Sequence, residues 1–225
     1  MSLEERIGYT FQNRKYLKIA LSHSSYINEE KLAGYQSNER LEFLGDSVLS
    51  LVTSEYLYKE YRKLPEGKLT KIRASVVCER SLCEFSRAIG LGEELLLGRG
   101  EEHTNGRDRD SILADAFEAL LAAIYLDGGM ECARTFALRF LVPQIKAACE
   151  GKLFKDYKTA LQEIVQKNHE ETLSYRLCGE EGPDHAKQFS VEVLLNSNVI
   201  GEGHGRSKKE AEQMAAKAAL RLMGE

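Results

Sequence analysis

Three acidic residues are spaced along one predicted helix in a way that could hold a cation. At 100° per residue, Glu39, Glu42 and Asp46 fall within a sector of about 60°. Taken alone, such a stripe is an ordinary solvated helix face. Phe43 and Leu49 argue against that interpretation, because both are large apolar residues that flank the stripe where water is expected. We therefore expect a partner surface beside these acids.

A second acidic pair lies in a segment whose composition indicates a buried helix. Within residues 115–126 the only ionisable side chains besides one tyrosine are Asp115 and Glu118, and a helix that is apolar all round is buried. Two carboxylates buried one turn apart are costly unless a cation compensates their charge. A bound metal ion would supply that cation. The alternative is a salt bridge to an arginine elsewhere, such as Arg73 or Arg107.

The predicted ligands determine which ion would bind. They offer only carboxylate oxygens, with no His or Cys at metal-ligand spacing. Hard oxygen donors favour Mg²⁺, with Mn²⁺ as a substitute, over zinc. Such an ion lowers the pKa of a water and offsets charge on a leaving oxygen. The pattern therefore predicts hydrolysis of a phosphodiester.

The elements that must position these acids divide the chain into two halves. From Arg6 to about Glu150 apolar residues recur at helical spacing, and Gly and Pro are confined to turns. Further along, the order changes to a helix, three short strands and a helix. We expect an all-α domain over residues 1–150, a linker over 151–155 and an α+β domain of α-β-β-β-α order over 156–225.

The second half offers a local cluster of cations. Residues 188–195 alternate as a half-buried strand does, and Ser207 opens the last helix. From residue 156 onward there are nine Lys and Arg against twelve Asp and Glu, so nucleic-acid contact requires a cluster. Arg206, Lys208 and Lys209 form one at a helix N-terminus, where lysines oppose the helix dipole unless an anion binds. The alternative is a pair of ordinary solvated lysines.

Composition argues against several other classes of protein. Charged residues interrupt the first twenty positions, so neither a signal peptide nor a membrane span fits there. Five cysteines without a CxxC pair argue against disulfides and zinc. Residues 98–101 lack the GxxxxGK pattern of a phosphate loop. We expect a cytoplasmic protein with reduced thiols, no membrane contact and no organic cofactor.

The motifs, taken in order, resemble the ribonuclease III family. Residues 38–47 are similar to its signature segment and residues 115–118 to its second carboxylate motif, and the resemblance covers essentially the whole chain. It implies a homodimeric endonuclease that cuts double-stranded RNA with two Mg²⁺ per site. It also implies 5'-phosphate and 3'-hydroxyl ends with short 3' overhangs, and processing of ribosomal RNA precursors and other structured RNAs.

The same resemblance implies roles for single residues. The positions that would bind the metal are Glu42, Asp46, Asp115 and Glu118. Of these, Asp46 and Glu118 would be catalytic. Glu39 and Glu66 would be accessory acids near the RNA, and Phe43 would insert across the homodimer interface.

The second half resembles the double-stranded-RNA-binding domain, which reads A-form shape across about 16 bp. The residues that would contact RNA are Thr159, Gln162, Glu163, His185, Arg206, Ser207, Lys208 and Lys209. An alternative of a different class is a non-catalytic double-stranded-RNA-binding dimer. The complete set of matched acidic positions argues against that alternative.

Overall fold

The computed structural model describes residues 1–30, 36–150, 157–166, 171–182 and 187–224. The chain separates into two compact units, Met1–Leu153 and Phe154–Glu225. The linker expected over residues 151–155 lies outside the described residues. The predicted fold class, a helical domain followed by an α-β-β-β-α domain, is confirmed.

The first unit is built from helices. They are α1 (Leu3–Ile7), α2 (Arg14–Ala20), α3 (Ser24–Glu29), α4 (Glu39–Glu60), α5 (Glu66–Val76), α6 (Glu79–Ala88), α7 (Leu91–Glu94), α8 (Arg99–His103) and α9 (Asp110–Cys149), with a 3-10 turn at Gly106–Asp108. The second unit contains α10 (Tyr157–Val165), β1 (Leu173–Glu181), β2 (Gln188–Leu195), β3 (Asn198–Gly205) and α11 (Lys208–Leu222). No helix among the described residues is long and apolar enough to span a membrane.

Helix α9 forms the centre of the first unit. Phe117 is fully buried, and its ring lies 5.3–5.5 Å from those of Phe85, Phe136 and Phe140. A helix that is apolar on all sides is expected to pack in this way. The helix bends at Gly129, whose φ of 80° and ψ of −179° are not helical. Burial of its first half explains why any carboxylate there is shielded from water.

Helix α4 packs along α9 and carries the first acidic motif. The prediction that Leu49 flanks the acidic stripe at a water-facing position is wrong. Leu49 is fully buried beside Val48 and Val52 in the core. Phe43 behaves differently, since 79% of its surface is exposed. An exposed phenylalanine next to acids agrees with a partner surface at this end of α4.

The second unit is a three-stranded antiparallel sheet in the order β1-β2-β3, with α10 and α11 packed against it. Strand β2 covers the same residues, 188–195, as the predicted strand, and its Val191 and Val193 are buried. Gly203 lets α11 approach β3 closely, because a Cβ there would lie 2.1 Å from the backbone N of Ala215. This close approach fixes the position of α11 on the sheet.

Candidate metal centre and cationic surface

Three carboxylates meet where α4 and α9 pack together. Glu42 comes from α4, and Asp115 and Glu118 come from α9 one turn apart. One carboxylate oxygen from each residue lies within 4.8 Å of the others, and all three side chains are half-buried. Asp115 and Glu118 of the buried helix α9 thus share one site with Glu42 of α4, the helix that packs against α9.

The three carboxyl groups make ionisation difficult for one another. Burial raises the pKa of Glu118 to about 8, and the charges of Asp46, Asp115 and Glu42 add to the rise. Burial also raises the pKa of Glu42, with further contributions from Asp115 and Glu39. Ionisation of these carboxyl groups is unfavourable in the absence of a cation. A bound cation would offset their negative charge, so the site favours cation binding.

Neither arginine considered as a salt-bridge partner reaches the site. Arg73 donates to Ser54 Oγ at 2.9 Å. Arg107 donates to Glu102 at 2.5 Å and to main-chain carbonyls that include Gly92 O at 2.9 Å. Within the described part of the chain, no lysine or arginine forms an ion pair with the three clustered carboxylates. Three hard oxygen donors without a cationic partner suit a divalent metal ion.

A backbone contact sets the distance between the two helices at this site. A Cβ on Gly45 would lie 2.0 Å from the carbonyl oxygen of Glu118, which is far inside the closest approach of two such atoms. Only glycine allows α4 to approach α9 so closely at this point. Because Gly45 follows Glu42 by three residues, the same contact brings Glu42 towards Asp115 and Glu118.

The other predicted acidic residues lie around this cluster. Asp46 is exposed but near enough for its charge to raise the pKa of Glu118, although it lies outside the group of three. Glu39 is exposed and accepts a hydrogen bond of 2.7 Å from Ser37 Oγ. Glu66 begins α5 and accepts one of 2.8 Å from Thr70 Oγ1. The structure therefore groups Glu42, Asp115 and Glu118. Asp46 and Glu39 lie outside this group, but their charges raise the pKa of Glu118 and of Glu42, respectively. Glu66 lies on another helix, α5.

Sequence reasoning missed two residues whose charges reach Asp115. Burial is the main cause that raises the pKa of Asp115; the charge of Glu79 raises it further, whereas His23 lowers it. Glu79 begins α6 and His23 precedes α3. Neither residue shares an element with another site residue, so helical spacing offers no signal for them.

The cationic segment of the second unit lies at the start of α11. Ser207 caps this helix, as expected, and its Oγ accepts a hydrogen bond of 3.1 Å from Glu210 N. The Glu210 carboxylate accepts a hydrogen bond of 2.7 Å from Arg206 N. A negatively charged side chain of the protein itself therefore already lies at the N-terminus of this helix. Lys208 and Lys209 remain exposed, and Lys208 Nζ lies 5.9 Å from the centre of the Phe189 ring.

Helix α10 presents the other predicted contact residues. Thr159, Gln162 and Glu163 are all exposed, while Leu161 and Val165 of the same helix are buried. The three exposed residues fall on one side of the helix. The predicted contact residue His185 lies outside the described residues.

Comparison with known proteins gives a consistent result for both units. The family model described as Ribonuclease-III-like matches residues 13–145, and the Double-stranded RNA binding motif matches residues 157–223. Ribonuclease 3 of Caldanaerobacter subterraneus subsp. tengcongensis is 53% identical over 222 residues, which cover 99% of this chain and 97% of that protein. Ribonuclease 3 of Pelotomaculum thermopropionicum is 52% identical over 218 residues, which cover 97% of this chain and 90% of that protein.

A solved structure is also similar to the first unit. The nuclease domain of ribonuclease III from Campylobacter jejuni superposes with a TM-score of 0.58 at 41% sequence identity, covering 63% of this chain and 95% of that one. Together with the two relatives, this likeness supports the identification of the helical unit as a nuclease domain. The chain belongs to the ribonuclease III family of metal-dependent enzymes, as an endoribonuclease with a helical nuclease domain followed by a double-stranded-RNA-binding domain.

Proposed function

We propose that this protein hydrolyses phosphodiester bonds of double-stranded RNA with two Mg²⁺ ions per site, Mn²⁺ being able to substitute. The observation that carries the proposal is the half-buried cluster of Glu42, Asp115 and Glu118, which forms no ion pair with a lysine or arginine among the described residues. Its oxygen donors fit a hard divalent ion. When bound, such ions supply a water of lowered pKa and positive charge beside the leaving oxygen.

The protein's own residues hold and orient the reacting groups in this proposal. Glu42, Asp46, Asp115 and Glu118 are the metal ligands, and Asp46 and Glu118 are the catalytic pair. The exposure of Asp46 beside the half-buried Glu118 supports that pairing, because one acid faces solvent, where RNA arrives, and the other is fixed within the helices. Glu39 and Glu66 act as accessory acids at the RNA.

The double-stranded-RNA-binding domain binds the RNA duplex in the proposed reaction. The contact residues are Thr159, Gln162, Glu163, His185, Arg206, Ser207, Lys208 and Lys209. Exposure of those on α10 and α11 supports the assignment. The products are 5'-phosphate and 3'-hydroxyl ends with short 3' overhangs, and the substrates are ribosomal RNA precursors and other structured RNAs.

A homodimer completes the proposal, with Phe43 inserted across the interface. The 79% exposure of this large apolar side chain supports this role, and the solved nuclease domain from Campylobacter jejuni is described as having a region involved in dimer formation. We expect Phe43→Ser to shift the protein from dimer towards monomer in sedimentation velocity. Leu222→Ser, at a site that is 73% exposed in the other unit, serves as the control. A fully dimeric Phe43→Ser protein would contradict this interface.

Cleavage of long duplex RNA tests the catalytic assignment. The parent protein is expected to cut in Mg²⁺ and not in EDTA. Glu118→Gln removes a proposed ligand, and its kcat is expected to fall about 10³-fold, on the order of 4 kcal/mol. Glu131→Gln on the same helix is the matched control, because 80% of the Glu131 side chain is exposed.

The outcomes of this assay separate the candidate functions. Cleavage by the parent in EDTA, or an unimpaired Glu118→Gln protein, would contradict the metal mechanism. Tight binding of duplex RNA without any cutting in Mg²⁺ would favour a non-catalytic double-stranded-RNA-binding dimer.

A further inference from the structure

Asn38 is a buried polar residue at the start of α4, one turn before Glu42 of the carboxylate cluster. Only 3% of its surface is exposed. Asn38 N donates to Ser22 O at 2.8 Å. Asn38 O accepts from Leu41 N and Glu42 N, both at 2.9 Å. The backbone at Asn38 is therefore fixed by hydrogen bonds that do not involve its side chain.

The side-chain amide of Asn38 has no hydrogen-bond partner in the part of the chain that the structure describes. Asn is a common N-cap residue, but the side chain of Asn38 does not cap α4, because the residue itself already has helical angles, φ −71° and ψ −14°. Buried amides are nearly always hydrogen bonded, and one without a partner lowers stability. Packing alone therefore gives no reason for an amide at this position.

Asn38 lies on the side of α4 that packs against α9. Because its backbone is helical, the spacing of an α-helix applies to it. Asn38 and Gly45 are seven residues apart and so lie about 20° apart around the helix axis. Gly45 is the point at which α4 approaches the carbonyl oxygen of Glu118 on α9. The amide of Asn38 is therefore buried along the same line of contact that carries the carboxylate cluster.

Glu42 is the carboxylate of the cluster that adjoins Asn38 on this helix. Residues four apart have Cβ atoms about 5–6 Å from one another, and side chains on an α-helix point towards its N-terminus. The longer Glu42 side chain is thus directed over the turn at Asn38. The half-buried Glu42 carboxylate also forms no hydrogen bond with another described residue. A donor without an acceptor and an acceptor without a donor are therefore neighbours on one helix.

We propose that Asn38 is a positioning residue of the carboxylate cluster, whose amide NH₂ donates to the Glu42 carboxylate and holds it towards the other two acids. Rotation of the two side chains is sufficient to form this bond, because the backbone already fixes the two residues one turn apart. An ionised carboxylate is a strong acceptor, and partners that orient a ligand carboxylate raise metal affinity. The inference rests on the proposed function, since Glu42 is a proposed metal ligand.

Asn38→Leu distinguishes this role from a purely structural one. Leu has the same branched skeleton of heavy atoms as Asn but cannot donate a hydrogen bond. The substitution removes a buried polar group that has no partner, so we expect the Tm to stay at or above that of the parent. A purely structural role predicts that metal affinity is also unchanged, whereas a positioning role predicts that it falls.

Thr53→Val is the matched control on the same helix. Thr53 is fully buried, and its Oγ1 donates to Leu49 O at 2.7 Å. The control thus removes a buried polar group from α4 nearly three turns beyond Glu42. Its Tm is expected to fall by a few degrees, because a hydrogen bond is lost, while metal affinity stays that of the parent.

Binding of Mn²⁺ to the full-length protein without RNA provides a measurement that does not depend on cleavage. Free Mn²⁺ is followed by electron paramagnetic resonance during titration of the parent and the variants. We expect Asn38→Leu to bind Mn²⁺ about tenfold more weakly than the parent. In a Glu42→Ala protein the same substitution is expected to change the affinity little, because no carboxylate remains there for the amide to hold.

The parent protein offers a second measurement that does not depend on how Asn38→Leu folds. Addition of Mg²⁺ is expected to shift one side-chain amide proton of Asn38 downfield in ¹H–¹⁵N spectra, and the shift is expected to be absent in Glu42→Ala. An Asn38 amide signal that Mg²⁺ leaves unchanged would overturn the inference.

The titrations bear on the inference in the same way. Parent-like Mn²⁺ affinity in Asn38→Leu, or a tenfold loss that persists in the Glu42→Ala protein, would overturn it. So would binding by Thr53→Val as weak as that by Asn38→Leu, because destabilisation of α4 would then explain both. A parent protein that binds no Mn²⁺ would refute the proposed metal site together with this inference, whereas equal binding by the parent and Asn38→Leu refutes the role of Asn38 alone.

Discussion

The carboxylate cluster of the nuclease domain and the cationic segment of the RNA-binding domain handle charge in opposite ways. Glu42, Asp115 and Glu118 are half-buried and crowded together, and among the described residues no lysine or arginine forms an ion pair with them. Lys208 and Lys209 are exposed at the first turn of α11, where water screens them. The first site holds like charges together at a cost in stability, and the second does not.

This contrast shows how strongly each site depends on the fold. Buried charges interact strongly over short distances, so a small shift between α4 and α9 changes the cluster greatly. Exposed cations contact phosphates additively and tolerate small shifts. We therefore expect packing changes to affect catalysis far more than RNA binding, and removal of surface charge to do the reverse.

Among the changes that test this contrast between the two sites, the largest expected effect comes from the close packing of α4 against α9. Gly45→Ala introduces a Cβ that would meet Glu118 O at 2.0 Å, so the helices must separate. We expect the cleavage rate to fall about 10²-fold, as a misplacement of roughly 1 Å does, and stability to fall by about 1–3 kcal/mol. Rates on duplex RNA and thermal unfolding measure the two effects.

Gly67→Ala is the matched control for this prediction. Gly67 also lies in a helix of the nuclease domain, but nothing lies within 4 Å of its added Cβ. It is expected to leave cleavage unchanged and to stabilise the protein slightly. A Gly45→Ala protein that cleaves at the rate of the control would show that the cluster tolerates separation of the helices.

Many features of the carboxylate cluster and of the cationic segment can be predicted from the sequence, because the spacing of residues along one helix or strand depends only on nearby positions. The spacing of Asp115 and Glu118 on an apolar helix predicts their burial, and the Ser207 cap and strand β2 also agree with the structure. The burial of Leu49 was not predicted, since it depends on which side of α4 packs into the core.

Other features arise only when distant segments meet. His23 and Glu79 reach Asp115 from separate elements, and no spacing rule connects segments so far apart in the chain. The hydrogen bond from Arg206 N to the Glu210 carboxylate at the N-terminus of α11 was also not predicted from the sequence. It weakens the argument that lysines there require a bound anion, and it makes direct measurement of the lysines more informative.

The second prediction concerns those lysines. Replacing Lys208 and Lys209 together by Ala is expected to weaken binding of duplex RNA about tenfold near physiological salt. The dependence of log K on log salt is expected to become shallower by about one unit for each phosphate that the variant no longer neutralises. Binding is measured in EDTA at several salt concentrations, so that cleavage does not interfere.

Arg176→Ala provides the control for the lysine variant. Arg176 pairs with Glu192 at 2.5 Å on β1 and β2. Its neighbour Tyr175 packs against the core shared with the helices, so alternation along the strand directs Arg176 to the other face of the sheet. Its removal is expected to leave the salt dependence unchanged. If both variants change it equally, RNA does not contact the start of α11 specifically.

The smallest expected effect is a pH dependence of stability that only the crowded cluster has. The pKa of Glu118 is raised from 4.5 to about 8 in the folded protein. A raised carboxyl pKa favours the folded state while Glu118 is protonated; this contribution is complete below about pH 4.5 and is lost as pH rises towards 8. In EDTA we expect the Tm of the parent, relative to Glu118→Gln, to fall across that range by a few degrees. Near pH 8, added Mg²⁺ should raise the Tm of the parent more than that of the variant, because the bound ion offsets the negative charge of the half-buried Glu118 carboxylate. Parallel Tm curves for the two proteins would mean that Glu118 ionises without cost, and the contrast between a crowded and a screened site would then not hold.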